Sequence, residues 1–202
     1  MKILIDNGHG YDTKGKCSPD GRLREYAWAR RCARKVTEGL KAMGYDVELV
    51  TPEERDIPLQ TRVSRVNKIC SDVGAKKVLL VSIHNNASGG DGKWHDACGF
   101  SVFVSKKASE NSKKLARLMT AAGMRRELMG NRSVPAAKYW TWSWTKKDIY
   151  LLTATNCPAV LTENMFQDHK GDVDYLLRDK GLQELVELHV EAITKYIQEA
   201  EK

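Results

Sequence analysis

No apolar run approaches the ~20 residues of a membrane-spanning helix, so membrane insertion is not expected. No Cys-x-x-Cys pair occurs. The five cysteines, Cys17, Cys32, Cys70, Cys98 and Cys157, are odd in number and far apart. That spacing argues against a disulfide framework or an all-cysteine zinc cluster and predicts free thiols in a reducing compartment. Internal repeats, low-complexity segments and interdomain linkers are also missing. So is the pattern of a signal peptide, because a single lysine leads straight into a short apolar run. The expectation is a protein made and held in the cytoplasm unless something releases it. The formal charge of +7 favours anionic partners. There is no long basic block and no recognisable nucleic-acid motif, so nucleic acid is not the expected partner. A length of 202 residues suits one α/β domain, here taken as 1–202.

What is present is organised around the first ten residues. Lys2 to Asp6 read as a short buried strand. Asn7 and Gly8 break it, and His9 sits at the break between Gly8 and Gly10. In α/β proteins the carboxyl ends of strands are where sites collect. Flanking glycines allow a sharp turn and leave room beside the ring.

A loop over Tyr11 to Gly21 follows, then a helix from about Leu23 to Met43. Its apolar positions are Tyr26, Ala29, Ala33, Val36, Leu40 and Met43, spaced three and four apart. Glu25 lies in its first turn. It either complements the helix dipole or reaches back toward His9. Tyr45 to Thr51 is a second strand. Leu59, Val63, Val66 and Cys70 mark an amphipathic helix that carries Arg62, Arg65 and Asn67. Val78 to Ile83 is almost continuously apolar, as a central parallel strand should be. It ends in His84-Asn-Asn, repeating the strand-then-histidine pattern and making His9 and His84 a candidate metal pair.

The loop from Ser88 to Gly99 carries His95, a rival ligand in a poorer setting. Phe100 to Val104 is a strand and Ser109 to Leu128 a helix. Trp140, Trp142 and Trp144 alternate, which puts them on one strand face. A packing stripe is the preferred reading and a ligand-stacking platform the other. After a short helix or turn at Asp148 to Ala154, the strand Ala159 to Glu163 ends in an acid. A loop containing His169 precedes a final helix from Asp172 to Glu201. His189 falls on its apolar stripe and reads as a satisfied core histidine.

His9, His84 and Glu163 thus stand at strand ends, with Glu25 at a helix start. Two imidazoles and a carboxylate make an open zinc set that leaves a position for water. The residual charge lowers the pKa of that water. A further carboxylate is then needed to take the proton and pass it on.

Asn7-Gly-His-Gly10, Glu25 at a helix start, Ser82-Ile-His-Asn-Asn-Ala87 and Pro158-Ala-Val-Leu-Thr-Glu163 resemble the zinc-dependent N-acetylmuramoyl-L-alanine amidases of the type-3 family. The likeness spans nearly the whole chain in order and spacing. It implies a single-domain three-layer α/β/α sandwich around a mostly parallel, mixed sheet. It implies one Zn2+ per chain held by His9, Glu25 and His84, with Glu163 as the catalytic carboxylate. The implied substrate is peptidoglycan, cut between N-acetylmuramic acid and L-alanine. Asn86 and His169 are candidate substrate contacts.

Some positions depart from the family's pattern. Tyr11 replaces a common glycine. Met165-Phe166 and His169 stand where Gly-Phe and a later Asn are usual. Thr51-Pro-Glu-Glu-Arg55 displaces an arginine motif. These bear on substrate preference more than on metal chemistry. The alternatives are a related zinc peptidase or deacetylase on cell-wall material and a non-catalytic peptidoglycan-binding protein. A monomer acting at the cell wall after release, as a phage or prophage endolysin does, is the expected setting.

Overall fold

The computed structural model describes residues 1–128 and 149–200. The Trp140, Trp142 and Trp144 stripe and the connection at 130–137 lie outside the described residues. The strands are β1 (Lys2–Asn7), β2 (Asp46–Leu49), β3 (Val78–Asn86), β4 (Ser101–Phe103) and β5 (Ala159–Phe166). The helices are α1 (Glu25–Ala42), α2 (Leu59–Val73), α3 (Glu110–Arg125), α4 (Tyr150–Ala154), α5 (Lys170–Leu176) and α6 (Asp179–Ala200). The strands form one sheet in the order β2-β1-β3-β5-β4. All pairings are parallel except β4 against β5, so the sheet is mixed.

Strand alternation sorts the core into two apolar layers. Ile3, Ile5, Leu79, Val81, Ile83 and Val160 pack with α1, α3 and α6. Leu4, Val78, Leu80, Ala159 and Leu161 pack against α2 and α4 on the other face. A sheet covered on both faces explains why β3 reads as an unbroken apolar run. The α/β/α sandwich around a mostly parallel, mixed sheet is therefore the one expected, here with five strands.

Three boundaries differ from the sequence reading. Helix α1 starts at Glu25 rather than Leu23, because Leu23 N–H and Ser18 N–H are engaged in a tight turn and Cys17 pairs with Arg24. That turn fixes Glu25 as the first helical residue. Helix α3 ends at Arg125. The last helix is two, α5 and α6, separated at Leu177 and Arg178. A Cβ on Gly181 would lie 2.1 Å from the Tyr175 carbonyl oxygen, so the start of α6 crosses the end of α5 at a distance only glycine permits.

Candidate functional site

The carboxyl ends of β1 and β3 lie side by side, with Asn7 paired to Ile83. Beyond β1 the chain turns through His9, which has a φ of 58°. Left-handed backbone is uncommon for a residue with a side chain and must be held by its surroundings. Gly8 N–H donates to the Ile83 carbonyl at 2.9 Å, and Gly10 N–H donates to Thr13 Oγ1 at 3.0 Å. The two glycines are needed for space. A Cβ at Gly8 would sit 2.4 Å from His84 Nδ1, and one at Gly10 would sit 1.9 Å from the Asp56 backbone nitrogen.

Two buried arginines complete the support. Arg62 Nη1 donates to the Asn7 carbonyl at 2.6 Å and to Asp6 Oδ1 at 3.0 Å. Its Nε donates to the Ile57 carbonyl at 2.8 Å. Arg30 Nη1 donates to the Gly8 carbonyl at 3.3 Å, and its Nη2 donates to the Glu53 carbonyl at 2.9 Å. Asp6 also accepts from Ser82 Oγ at 2.6 Å, tying β1 to β3. The sequence showed Arg62 as part of a helix pattern but not as a clamp. Two of its four partners are main-chain carbonyls, which leave no trace in residue identity, and the other two are the Asp6 and Asp56 carboxylates.

These supports bring three predicted residues together. Glu25 Oε1 lies 3.0 Å from His84 Nδ1 and 3.4 Å from His9 Nε2. It also accepts from Asn85 N–H at 3.1 Å. The two imidazole rings meet edge to face with centroids 5.1 Å apart. One ligand atom from each of His9, Glu25 and His84 lies within 4.8 Å of the others. Glu25 is 1% exposed, and its Oε2 is buried with no hydrogen-bond partner. A carboxylate oxygen left so in a polar pocket lacks something to bind.

The electrostatics follow. Burial pushes the Glu25 carboxyl upward, but hydrogen bonds with His84 and His9 outweigh it and hold the acid below its usual range. Burial pulls the His84 imidazole down, and the contact with Glu25 more than reverses that.

Glu163 is the ladder partner of His84 on the neighbouring strand. It is half-buried, and its Oε2 is buried without a partner. Burial raises its carboxyl from 4.5 to about 7, against the pull of His84 and with the help of the Glu25 charge. A carboxyl so placed can both accept and return a proton near neutral pH. A cavity of about 520 Å³ opens beside the group, lined by His9, His84, Arg62, Ile57, Leu59 and Ile149 among others.

The remaining candidates lie elsewhere. His95 pairs with Asp91 on its own loop at 2.9 Å. His189 is fully buried and bonds the Leu185 carbonyl at 2.7 Å and Thr162 Oγ1 at 2.9 Å, as a satisfied core histidine. Asn86 sits at the irregularity between β3 and β5, with its Oδ1 accepting from Ala87 N–H at 2.9 Å. His169 does not join the group; its Nδ1 caps α5 by accepting from Asp172 N–H at 3.2 Å. Sequence reasoning passed over Asn164, whose Nδ2 donates to the His84 carbonyl at 3.0 Å and whose carbonyl accepts from Asn85 Nδ2 at 2.5 Å.

Residues 3–195 match the family model described as N-acetylmuramoyl-L-alanine amidase. The chain belongs to that family. It is 25% identical over 197 residues to the endolysin of Bacillus phage SPP1, covering 96% of this chain and 65% of that protein. The chain thus spans less than two thirds of that curated relative. Among solved structures, an N-acetylmuramoyl-L-alanine amidase from Clostridium difficile 630 superposes with a TM-score of 0.80 at 23% identity, covering 98% of this chain and 96% of that one. The Ami1 amidase of Mycobacterium smegmatis gives a TM-score of 0.81 at 16% identity, covering 98% and 97%. At such identities these structures establish the amidase fold alone.

Proposed function

We propose that the chain hydrolyses the amide joining N-acetylmuramic acid to L-alanine in peptidoglycan, using one zinc ion held by His9, Glu25 and His84. One observation carries the reading: two imidazoles and a buried, part-unpaired carboxylate converge beside a second carboxyl raised to about 7. This donor set fits zinc, which takes two neutral histidines and one carboxylate and keeps a fourth position open. When bound, the cation polarises the scissile carbonyl and acidifies water.

The chain's own residues supply the rest. The Asn85 N–H fixes the Glu25 carboxylate so that it faces both rings. Glu163 takes a proton from the attacking water on its free carboxylate oxygen. It then returns that proton to the alanine nitrogen as the carbon–nitrogen bond breaks. The cavity beside His9 and His84 gives substrate an apolar wall in Ile57, Leu59 and Ile149, with Arg62 also among its lining residues. The net positive surface assists approach to an anionic wall.

We further propose a lytic setting, in which the enzyme reaches the wall after release from the cell that made it. The similarity to a phage endolysin supports this. Producing the protein in cells with and without a membrane-pore former tests it: lysis is expected only with the pore, and lysis without it would contradict the reading.

The activity is tested by digesting purified sacculi and identifying the new ends. The expected products are stem peptides with a free L-alanine amine and glycan with intact muramic acid. New amines only at other residues of the stem would make the chain a peptidase. Released acetate would make it a deacetylase. Tight binding without any product would make it a wall-binding protein.

A further inference from the structure

A second three-donor group lies on the other side of β5, outside the site described above. Cys98, His169 and Asp172 each present a ligand atom within 4.8 Å of the other two. The group lines a cavity of about 510 Å³ shared with Asp96, Met165 and Glu184.

Its geometry is built in advance. Asp172 Oδ2 accepts from Gly99 N–H at 2.7 Å and from Phe166 N–H at 2.9 Å. Those bonds leave Oδ1 facing His169 Nδ1 at 3.1 Å. Gly99 has a φ of 103°, a turn that only glycine makes freely, and its anchored N–H draws the adjacent Cys98 to Asp172. His169 is the N-cap of α5, and its Nδ1 accepts from the N–H of Asp172, three residues on. Capping has no use for a cysteine. Cys98 is 7% exposed, lines the cavity, and is in no disulfide.

We propose that Cys98, His169 and Asp172 form a second metal site, for a thiophilic divalent cation of the zinc class. A thiolate, an imidazole and a carboxylate are a mixed set that such a cation accepts and that magnesium or calcium does not. The cation would replace the Cys98 thiol proton, which passes to solvent. Cys98 ends the loop after β3, while His169 and Asp172 follow β5. A metal here therefore pins that loop to the segment just beyond Glu163. The inference stands apart from the proposed activity, since none of its three residues belongs to the His9, Glu25 and His84 group.

Sulfur makes the test selective. Cobalt bound by His9, Glu25 and His84 has no thiolate ligand. Cobalt bound by Cys98 gives a near-ultraviolet thiolate-to-metal charge-transfer band. The reduced full chain is titrated with Co2+ as wild type, His84→Ala, Cys98→Ser and His169→Gln, with circular dichroism to confirm folding. The expected result is the band in wild type and in His84→Ala, and its loss in folded Cys98→Ser and His169→Gln. Total bound metal should fall by one equivalent in Cys98→Ser. Absence of the band in reduced wild type at saturating Co2+ would overturn the proposal, as would its survival in Cys98→Ser. Should Cys98→Ser fail to fold, Asp172→Asn and the His169→Gln variant carry the same comparison.

Discussion

Thr162 and Glu163 are neighbours on β5, yet their side chains meet opposite worlds. Thr162 is fully buried and binds His189, whose other nitrogen bonds the Leu185 carbonyl. Every polar group on that histidine is satisfied by a neutral partner. Burial then dominates and lowers the imidazole from 6.5 to about 4. One residue on, Glu163 adjoins His84, which faces the Glu25 carboxylate and is pushed upward instead. There, buried oxygens of Glu25 and Glu163 are left without partners. The lesson is that burial alone does not decide what a histidine does. A neutral, complete shell makes it a structural piece, whereas a charged, incomplete one leaves capacity for a ligand.

Breaking the incomplete side gives the largest effect. Glu163→Gln keeps the shape but cannot take a proton. Turnover on sacculi should fall by ~10²–10⁴, the range for losing a general acid–base group, with metal content unchanged. A rise in KM with kcat unchanged, read from initial rates over a range of sacculus concentrations, would mark Glu163 as a binding residue. Next in size is Arg62→Met. It strands the fully buried Asp6 without its counter-charge, and breaking such a pair costs about 3–5 kcal/mol. Urea unfolding measures it, and a loss below about 1 kcal/mol would show that the clamp is dispensable.

The complete side can be sharpened with pH. Unfolded His189 takes up a proton near 6.5, the folded residue only near 4. Between those values the unfolded state binds more protons, so stability falls as pH drops through that window and levels off below it. Relative to His189→Leu, wild type should lose roughly 3 kcal/mol between pH 7 and pH 4. Parallel unfolding curves at each pH check this; an unchanged difference would mean that His189 is not held neutral.

The smallest expected change is Gly8→Ala. Its Cβ would collide with the His84 ring, costing about 1–3 kcal/mol of stability. Displacing a ligand in this way should weaken zinc binding ~10–100-fold, as loss of an orienting partner does. Calorimetric zinc titration reads the affinity directly.

Much of this contrast was legible in the sequence. His9, His84 and Glu163 announced themselves because each follows an apolar strand, and a strand's end is where a polar side chain becomes available. His189 was read correctly because it falls on the apolar stripe of a helix. The supports were not legible. Arg30 and Arg62 act on the carbonyls of Gly8, Asn7, Glu53 and Ile57, and main-chain partners carry no sequence signature. The left-handed turn at His9 was suggested only by its flanking glycines. His169, read as a substrate contact from its position after Glu163, caps α5 and lines a separate cavity, because the direction in which α5 leaves the sheet is not written in that position. Cys98 was passed over because cysteine spacing reveals pairs along the chain, not a thiol that lies beside a histidine and an acid from a distant part of the sequence.

The most direct test is a crystal of the zinc-soaked protein with diffraction collected at the zinc absorption edge. The account predicts an anomalous peak about 2.0–2.2 Å from one atom each of His9, Glu25 and His84, with Glu163 close by but outside bonding distance. A saturated crystal with no peak among those three side chains, and Glu25 still hydrogen-bonded to both imidazoles, would contradict it.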